Sequence, residues 1–164
     1  MSLALPPAAV IREADAEVLG GPPSTGRMLL DSSATGGALS AVRITLGAGA
    51  DGATPHHHAT ASEMFYILDG SARVLAGDDI LTLGTGDLAV VPPNTAHAFA
   101  ATPGTPADLL IVITPGVERF GYFRLLAALR TGQATVQDLL DAQDTYDNHF
   151  LDSPAWSRER QAAG

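Results

Sequence analysis

Between residues 27 and 114 the chain is a succession of short apolar runs, each cut off by glycine, proline or aspartate. The runs fall at 27–30, 38–46, 63–68, 72–76, 80–83, 88–92, 97–100 and 109–114. Between them stand Gly36-Gly37, residues 47–55, Asp69-Gly70, Gly77-Asp78-Asp79, residues 84–87, Pro92-Pro93-Asn94 and residues 103–106. Runs this short suit strands better than packed helices. Short strands with turn signals every few residues predict an all-β sandwich or barrel of antiparallel sheets.

The texture changes after Pro115-Gly116. Phe120, Phe123 and Leu126 recur at helical spacing, and Thr135 with Asp138 forms a capping-box start for a second helical stretch. Ser153-Pro154 reads as an N-cap followed by a first-turn proline, with Trp156 anchoring that last segment. The expected organisation is an N-terminal arm at 1–26, a β-barrel at 27–116 and a helical extension at 117–164. The extension is too short for a core of its own, so it should pack on the barrel.

Composition narrows the function classes. The 164-residue chain has no cysteine, which excludes a disulfide framework, a thiol nucleophile and a cysteine-ligated metal. A net charge of −9 argues against nucleic acid and anionic membrane as partners. All nine basic residues are arginine, so lysine Schiff-base chemistry is absent. Residues 1–10 carry no charged leader and no long apolar run, which predicts a cytoplasmic protein. Gly84-Thr-Gly-Asp-Leu-Ala89 mimics a dinucleotide fingerprint, but a strand pattern ending in prolines follows it where a helix is needed.

Chemistry concentrates in Pro55-His56-His57-His58-Ala59-Thr60-Ala61-Ser62-Glu63. On an extended chain His56 and His58 project together and His57 points away. Strict alternation would put Glu63 on the wrong face, so the small residues 59–62 should form a turn or bulge that resets the parity. Glu63, Phe65 and Ile67 then share the interior face, while Met64 and Tyr66 face outward. His97 and Phe99 share a face of a later strand, and if the hairpins fold together His97 approaches the other three. Three imidazoles and a carboxylate suit one divalent transition-metal ion: iron, manganese, nickel, cobalt, copper or zinc. Phe65, Ile67 and Phe99 are the candidate pocket residues. His149 lies far away in sequence and reads as a surface or cap residue.

These residues resemble the two motifs of the cupins. The first motif reads here as His56-x-His58, four residues, Glu63, six residues, Gly70, with Gly52 in front. The second reads as Gly86, Pro92, Asn94 and His97, with Asn94 where a glycine is usual and Ala101 where a terminal asparagine is usual. Residues 63–70 and 114–120 are similar to the small monocupins called quercetin dioxygenase-like. The resemblance implies a double-stranded β-helix, a jelly-roll barrel of two antiparallel sheets. It implies a metal held by His56, His58, Glu63 and His97, and dioxygen-dependent action on a small hydroxylated aromatic such as a flavonol, with Glu63 also serving as the base. Other cupins imply two alternatives, a non-redox isomerase or polyketide-type cyclase, and a small-ligand-binding module. A homodimer built on the sheet edge and the outward Met64, Tyr66 and Leu68 is implied as well.

Overall fold

The computed structural model describes residues 7–163. Ten strands and four helices follow in order: β1 (Glu17–Gly21), β2 (Ser24–Leu30), β3 (Ser40–Leu46), β4 (Asp51–His57), β5 (Ser62–Ala76), β6 (Asp79–Gly84), β7 (Leu88–Val91), β8 (His97–Ala101) and β9 (Ala107–Thr114), then α1 (Phe120–Arg130), α2 (Val136–Asp141), α3 (Gln143–Tyr146), β10 (His149–Phe150) and α4 (Pro154–Ala162). All pairings are antiparallel. They make a curled sheet with two faces, the double-stranded β-helix that the sequence implied.

β5 joins the two faces. Its first half pairs with β7 and β9, in the sheet that continues through β3 and β2 to β1. Its second half pairs with β6 and β8, in the sheet that continues through β4 to β10. The sequence pattern suggests a break between two strands at Asp69-Gly70. The chain instead bends there without leaving the sheet, through an irregularity between Ile67 and Asp69. Gly70 makes this bend possible. It has φ +77°, and a Cβ there would sit 1.9 Å from the Pro106 carbonyl oxygen.

Side chains alternate in and out along these strands. Inside, Met28, Val42, Ile44, Leu46, Phe65, Ile67, Leu109 and Ile111 from one sheet meet Ala72, Val74, Phe99 and Ala101 from the other. Each of the larger aliphatic or aromatic side chains contributes roughly 1.5–3 kcal/mol on full burial.

Two strands lie where the sequence signalled arm or loop. β1 and the start of β2 extend the sheet to Glu17, ahead of the expected start at residue 27. β1 is an exposed edge strand with little apolar alternation, so periodicity could not reveal it. β4 begins at Asp51, inside the 47–55 stretch read as a breaker. Its Gly and Pro are accommodated because its pairing with β8 is interrupted by register shifts.

The extension folds back over the barrel. Asp31, just after β2, accepts the backbone N–H groups of Arg119 at 2.6 Å and Phe120 at 3.2 Å, fixing where α1 starts. The Thr135–Asp138 capping box opens α2, and the Ser153 hydroxyl accepts the Trp156 N–H at the start of α4. Trp156 packs on Leu75, Ala98 and Ala100, the outer side of the second sheet, and so anchors the tail. Among the described residues no helix is long and apolar enough to cross a membrane.

The bend at Gly70 carries the fold's main stereochemical demand. Gly70→Ala should lower unfolding free energy by more than about 3 kcal/mol in urea titration, since it adds a left-handed-region penalty to a backbone clash. Gly77→Ala is the control: it shares the positive φ of +66° but has open space around its Cβ, and should cost less.

Candidate metal centre

His56, His58, Glu63 and His97 converge, as strand parity required, and all four are buried. Their ligating atoms lie within 4.8 Å of one another, close enough to share one ion. His56 and His97 are cross-strand partners on β4 and β8. Glu63 arrives from the first sheet, so the cluster ties the two faces together. Between His58 and Glu63 the chain turns at residues 59–61, which resets the parity as expected. Asn94 sits opposite in the left-handed region with φ 60°, the conformation that explains an asparagine in a glycine's place. Its backbone N–H donates to the His58 carbonyl at 2.7 Å.

The hydrogen bonds fix the state of the rings. His56 Nδ1 lies 2.7 Å from the Thr54 carbonyl, His97 Nδ1 2.8 Å from that of Thr95, and His58 Nδ1 2.5 Å from that of Asp147. A carbonyl oxygen only accepts, so each Nδ1 carries the hydrogen. A neutral ring then presents a bare Nε2 lone pair to the centre, the arrangement by which ligating histidines are oriented. Nε2 of His58 and of His97 lie 2.9 and 2.6 Å from the same Glu63 oxygen, with His56 Nε2 at 3.9 Å. Lone pairs facing a carboxylate repel, so the arrangement calls for a cation among them, either protons or a metal ion.

Electrostatics agree. Burial, with the neighbouring His97, pushes the His56 pKa well below the ordinary imidazole range, keeping that ring neutral. Burial would raise the Glu63 pKa, but hydrogen bonds from His58 and His97 outweigh it and hold the carboxyl well below its usual range. Burial opposes charge on His97, yet the hydrogen bond to Glu63 lifts its pKa. A first-row divalent ion fits the same three ring nitrogens and carboxylate in place of those protons.

Sequence reasoning missed the residues that the tail contributes. Asp147, at φ 47° after α3, offers its carbonyl to His58. Its carboxylate accepts the N–H of Ala59 at 2.7 Å and of Thr60 at 3.1 Å, and the Thr60 hydroxyl at 2.8 Å. One aspartate therefore fixes both the His58 ring and the turn between His58 and Glu63. Two residues on, His149 pairs with His57 across β10 and β4, and the two rings stack at 5.1 Å. His57 points away from the cluster, as parity demanded, and His149 supports the outer side of the ligand strand.

Glu63 and His56 line a cavity of about 370 Å³ that opens under α1. Of the expected pocket residues only Phe99 lines it. Phe65 and Ile67 are fully buried in the core below. β5 runs between two neighbours there, and the Phe65 ring is covered by Phe99 at 5.5 Å and His97 at 6.2 Å. The other walls are Ile44 and Ile111 from the sheet and Phe123 and Leu126 from α1. Gly52 is needed opposite Phe99, because a Cβ there would lie 2.2 Å from the ring.

Residues 42–113 match the family described as "Cupin domain". This segment is a cupin domain. Comparison with curated proteins finds no match. Among solved structures, KdgF from Halomonas sp. aligns with a TM-score of 0.56 and 21% identity, over 67% of this chain and 94% of that one. A variant of Streptomyces Pac13 bound to uridine aligns with a TM-score of 0.55 and 14% identity, over 70% and 87%. The polyketide cyclase RemF from Streptomyces resistomycificus aligns with a TM-score of 0.53 and 20% identity, over 64% and 78%. At these identities the likeness is one of fold. Outside this segment, α1 to β10 roof the mouth of the barrel.

Asp147→Ala should cost about 2–3 kcal/mol of stability, since it removes an ionised acceptor that holds Ala59, Thr60 and, at 3.2 Å, His149 Nε2. Urea unfolding of the variant measures this. A cost below about 0.5 kcal/mol, the level of an ordinary surface substitution, would show that the turn holds without Asp147.

Proposed function

We propose that this cupin is a metal-dependent enzyme that binds one divalent transition-metal ion through His56, His58, Glu63 and His97 and acts on a small organic molecule in the adjoining cavity. The observation that supports this most is the set of three Nδ1–H bonds to backbone carbonyls, which turns three bare Nε2 atoms and one carboxylate toward a single point. An ion held by these four residues would supply Lewis acidity beside the cavity. Glu63 lines the cavity, where it can meet a bound substrate, which supports its second role as the base for a substrate hydroxyl proton.

For the reaction, the first reading is dioxygen-dependent cleavage of a hydroxylated aromatic of flavonol type, as the resemblance to quercetin dioxygenase-like monocupins implies. The walls of Phe99, Phe123 and Ile44 suit a flat apolar body. The second reading is a non-redox isomerisation or cyclisation. It is favoured by Arg119, a buried guanidinium lining the same cavity as Glu63, because a fixed positive charge stabilises an enolate without any oxidant.

The protein is further proposed to act as a homodimer. Leu88 and Val90 on the edge strand β7 and Leu68 on β5 are exposed. β7 pairs on one side only. Light scattering should return twice the chain mass; a monomer mass at every concentration would remove the dimer.

Elemental analysis tests the centre. The wild-type chain and His57→Ala should carry about one ion each, and His58→Ala and His97→Ala should be depleted. Retention of metal in both ligand variants would contradict the assignment. An oxygen electrode then separates the reactions, using protein loaded in turn with iron, manganese, nickel, cobalt and copper. Oxygen uptake with flavonols, abolished in Glu63→Gln beyond its loss of metal, supports the first reading. No uptake with any metal, together with anaerobic turnover, selects the second.

A further inference from the structure

The metal cluster accounts for one wall of the cavity and leaves another unexplained. Arg119 and Asn148 both line this cavity and both are buried, at 4% and 1% exposure. Arg119 stands just before α1, and Asn148 just before β10. Their placement is firm: Arg119 Nη1 donates to the Tyr146 carbonyl and Nη2 to Asn148 Oδ1, each at 3.2 Å. The guanidinium carbon lies 4.3 Å from the centre of the Tyr122 ring and 5.5 Å from that of Phe123.

These contacts hold the guanidinium in place without neutralising it. A backbone carbonyl and a neutral amide are its hydrogen-bond acceptors, and among the described residues no carboxylate forms an ion pair with it. Its Nε–H has no partner. Neither has the Nδ2 group of Asn148, whose orientation is settled because Oδ1 is the atom that accepts from arginine. Two buried donors, one of them cationic, thus lack acceptors on residues that line the same cavity. Buried polar groups are nearly always satisfied, and the exceptions point to a missing group that accepts hydrogen bonds.

Charge makes the same demand. In a chain of net charge −9, the cavity lining holds two arginines, Arg119 inside and the exposed Arg130 at its rim. Only two acidic residues line it. Asp51 is paired with Arg160 at 2.9 Å, and Glu63 belongs to the histidine cluster. With a divalent ion on Glu63, the buried site would hold two net positive charges, one at the ion and one on Arg119. An apolar cavity does not tolerate that without an anion.

We infer that Arg119 and Asn148 form an anion subsite beside the metal centre, and that the substrate is an organic acid whose carboxylate is held there while its apolar body lies against Phe99 and Phe123. A carboxylate is the class of choice because two coplanar oxygens match a guanidinium whose position is already fixed. This rests on reading the cavity as the substrate site, and it narrows the substrate of either reaction to one that carries a carboxylate, which a flavonol does not.

The test is calorimetric titration with salicylate and with its uncharged analogue salicylamide. Both the metal-loaded and the metal-free chain are used, so that binding of the carboxylate to the ion is separated from binding to Arg119. Salicylate should bind at least about tenfold more tightly than salicylamide, the factor that one charge-assisted hydrogen bond supplies. The preference should persist without metal and should disappear in Arg119→Gln. Because that variant also gives up two structural hydrogen bonds, a second readout uses the wild type alone. The Arg119 Nε–H resonance in nitrogen-15 spectra should shift on adding salicylate and stay put on adding salicylamide. Equal binding of the two ligands, binding of neither, or an unmoved Nε–H signal would overturn the subsite. Metal content measured on the same samples keeps the two proposals distinguishable: a chain that fails to hold metal yet still selects salicylate would sink the metal-enzyme reading and leave the subsite standing.

Discussion

Three imidazole N–H groups bonded to three backbone carbonyls govern this structure. Each bond places a hydrogen on Nδ1, which leaves Nε2 as the atom that faces Glu63. The carbonyls come from different places. Thr54 and Thr95 lie two residues before the histidines they hold, so the local backbone alone supplies them. Asp147 lies 89 residues from His58, so its carbonyl is available only once the helical extension has folded back. The cluster is therefore complete only once the extension is in place, and the roof over the barrel is part of its support.

The same dependence explains the long strand β5. Glu63 must reach the histidines from the opposite sheet, and the chain must still return to pair with β8, which carries His97. A single strand that bends at Gly70 does both, and the fully buried Phe65 and Ile67 fill the space behind the carboxylate. Rigidity below and a roofed cavity above give a site whose polar groups are fixed before any ligand arrives, the condition under which buried charges act most strongly.

Much of this is legible in the sequence. His56, His58, Glu63 and His97 can be placed together because strand alternation is strict and because the small residues 59–62 allow one reset of parity. The caps at Thr135 and Ser153 and the anchor at Trp156 follow from local chemistry alone. What escapes depends on contacts between distant segments. β1 escapes because an exposed edge strand needs no apolar alternation. Asp69-Gly70 looks like a turn, since a positive φ at glycine serves a bend within a strand as well as a hairpin. Alternation misplaces Phe65 and Ile67 on the cavity wall because it tells which face a side chain takes, not how deep it lies. Asp147 and Asn148 acquire meaning only when the tail lies across the barrel, and Arg119, though inside the 114–120 stretch that carries the resemblance, is placed at the cavity by the fold alone.

Histidine ring nitrogens observed by long-range proton–nitrogen correlation, before and after adding zinc, test the central claim most directly. The account predicts that His56, His58 and His97 each carry their hydrogen on Nδ1 in the zinc-loaded protein. It also predicts that their three Nε2 signals move together on loading while those of His57 and His149 stay in place. A hydrogen found on Nε2 of any of the three, or Nε2 signals that ignore zinc, would contradict it.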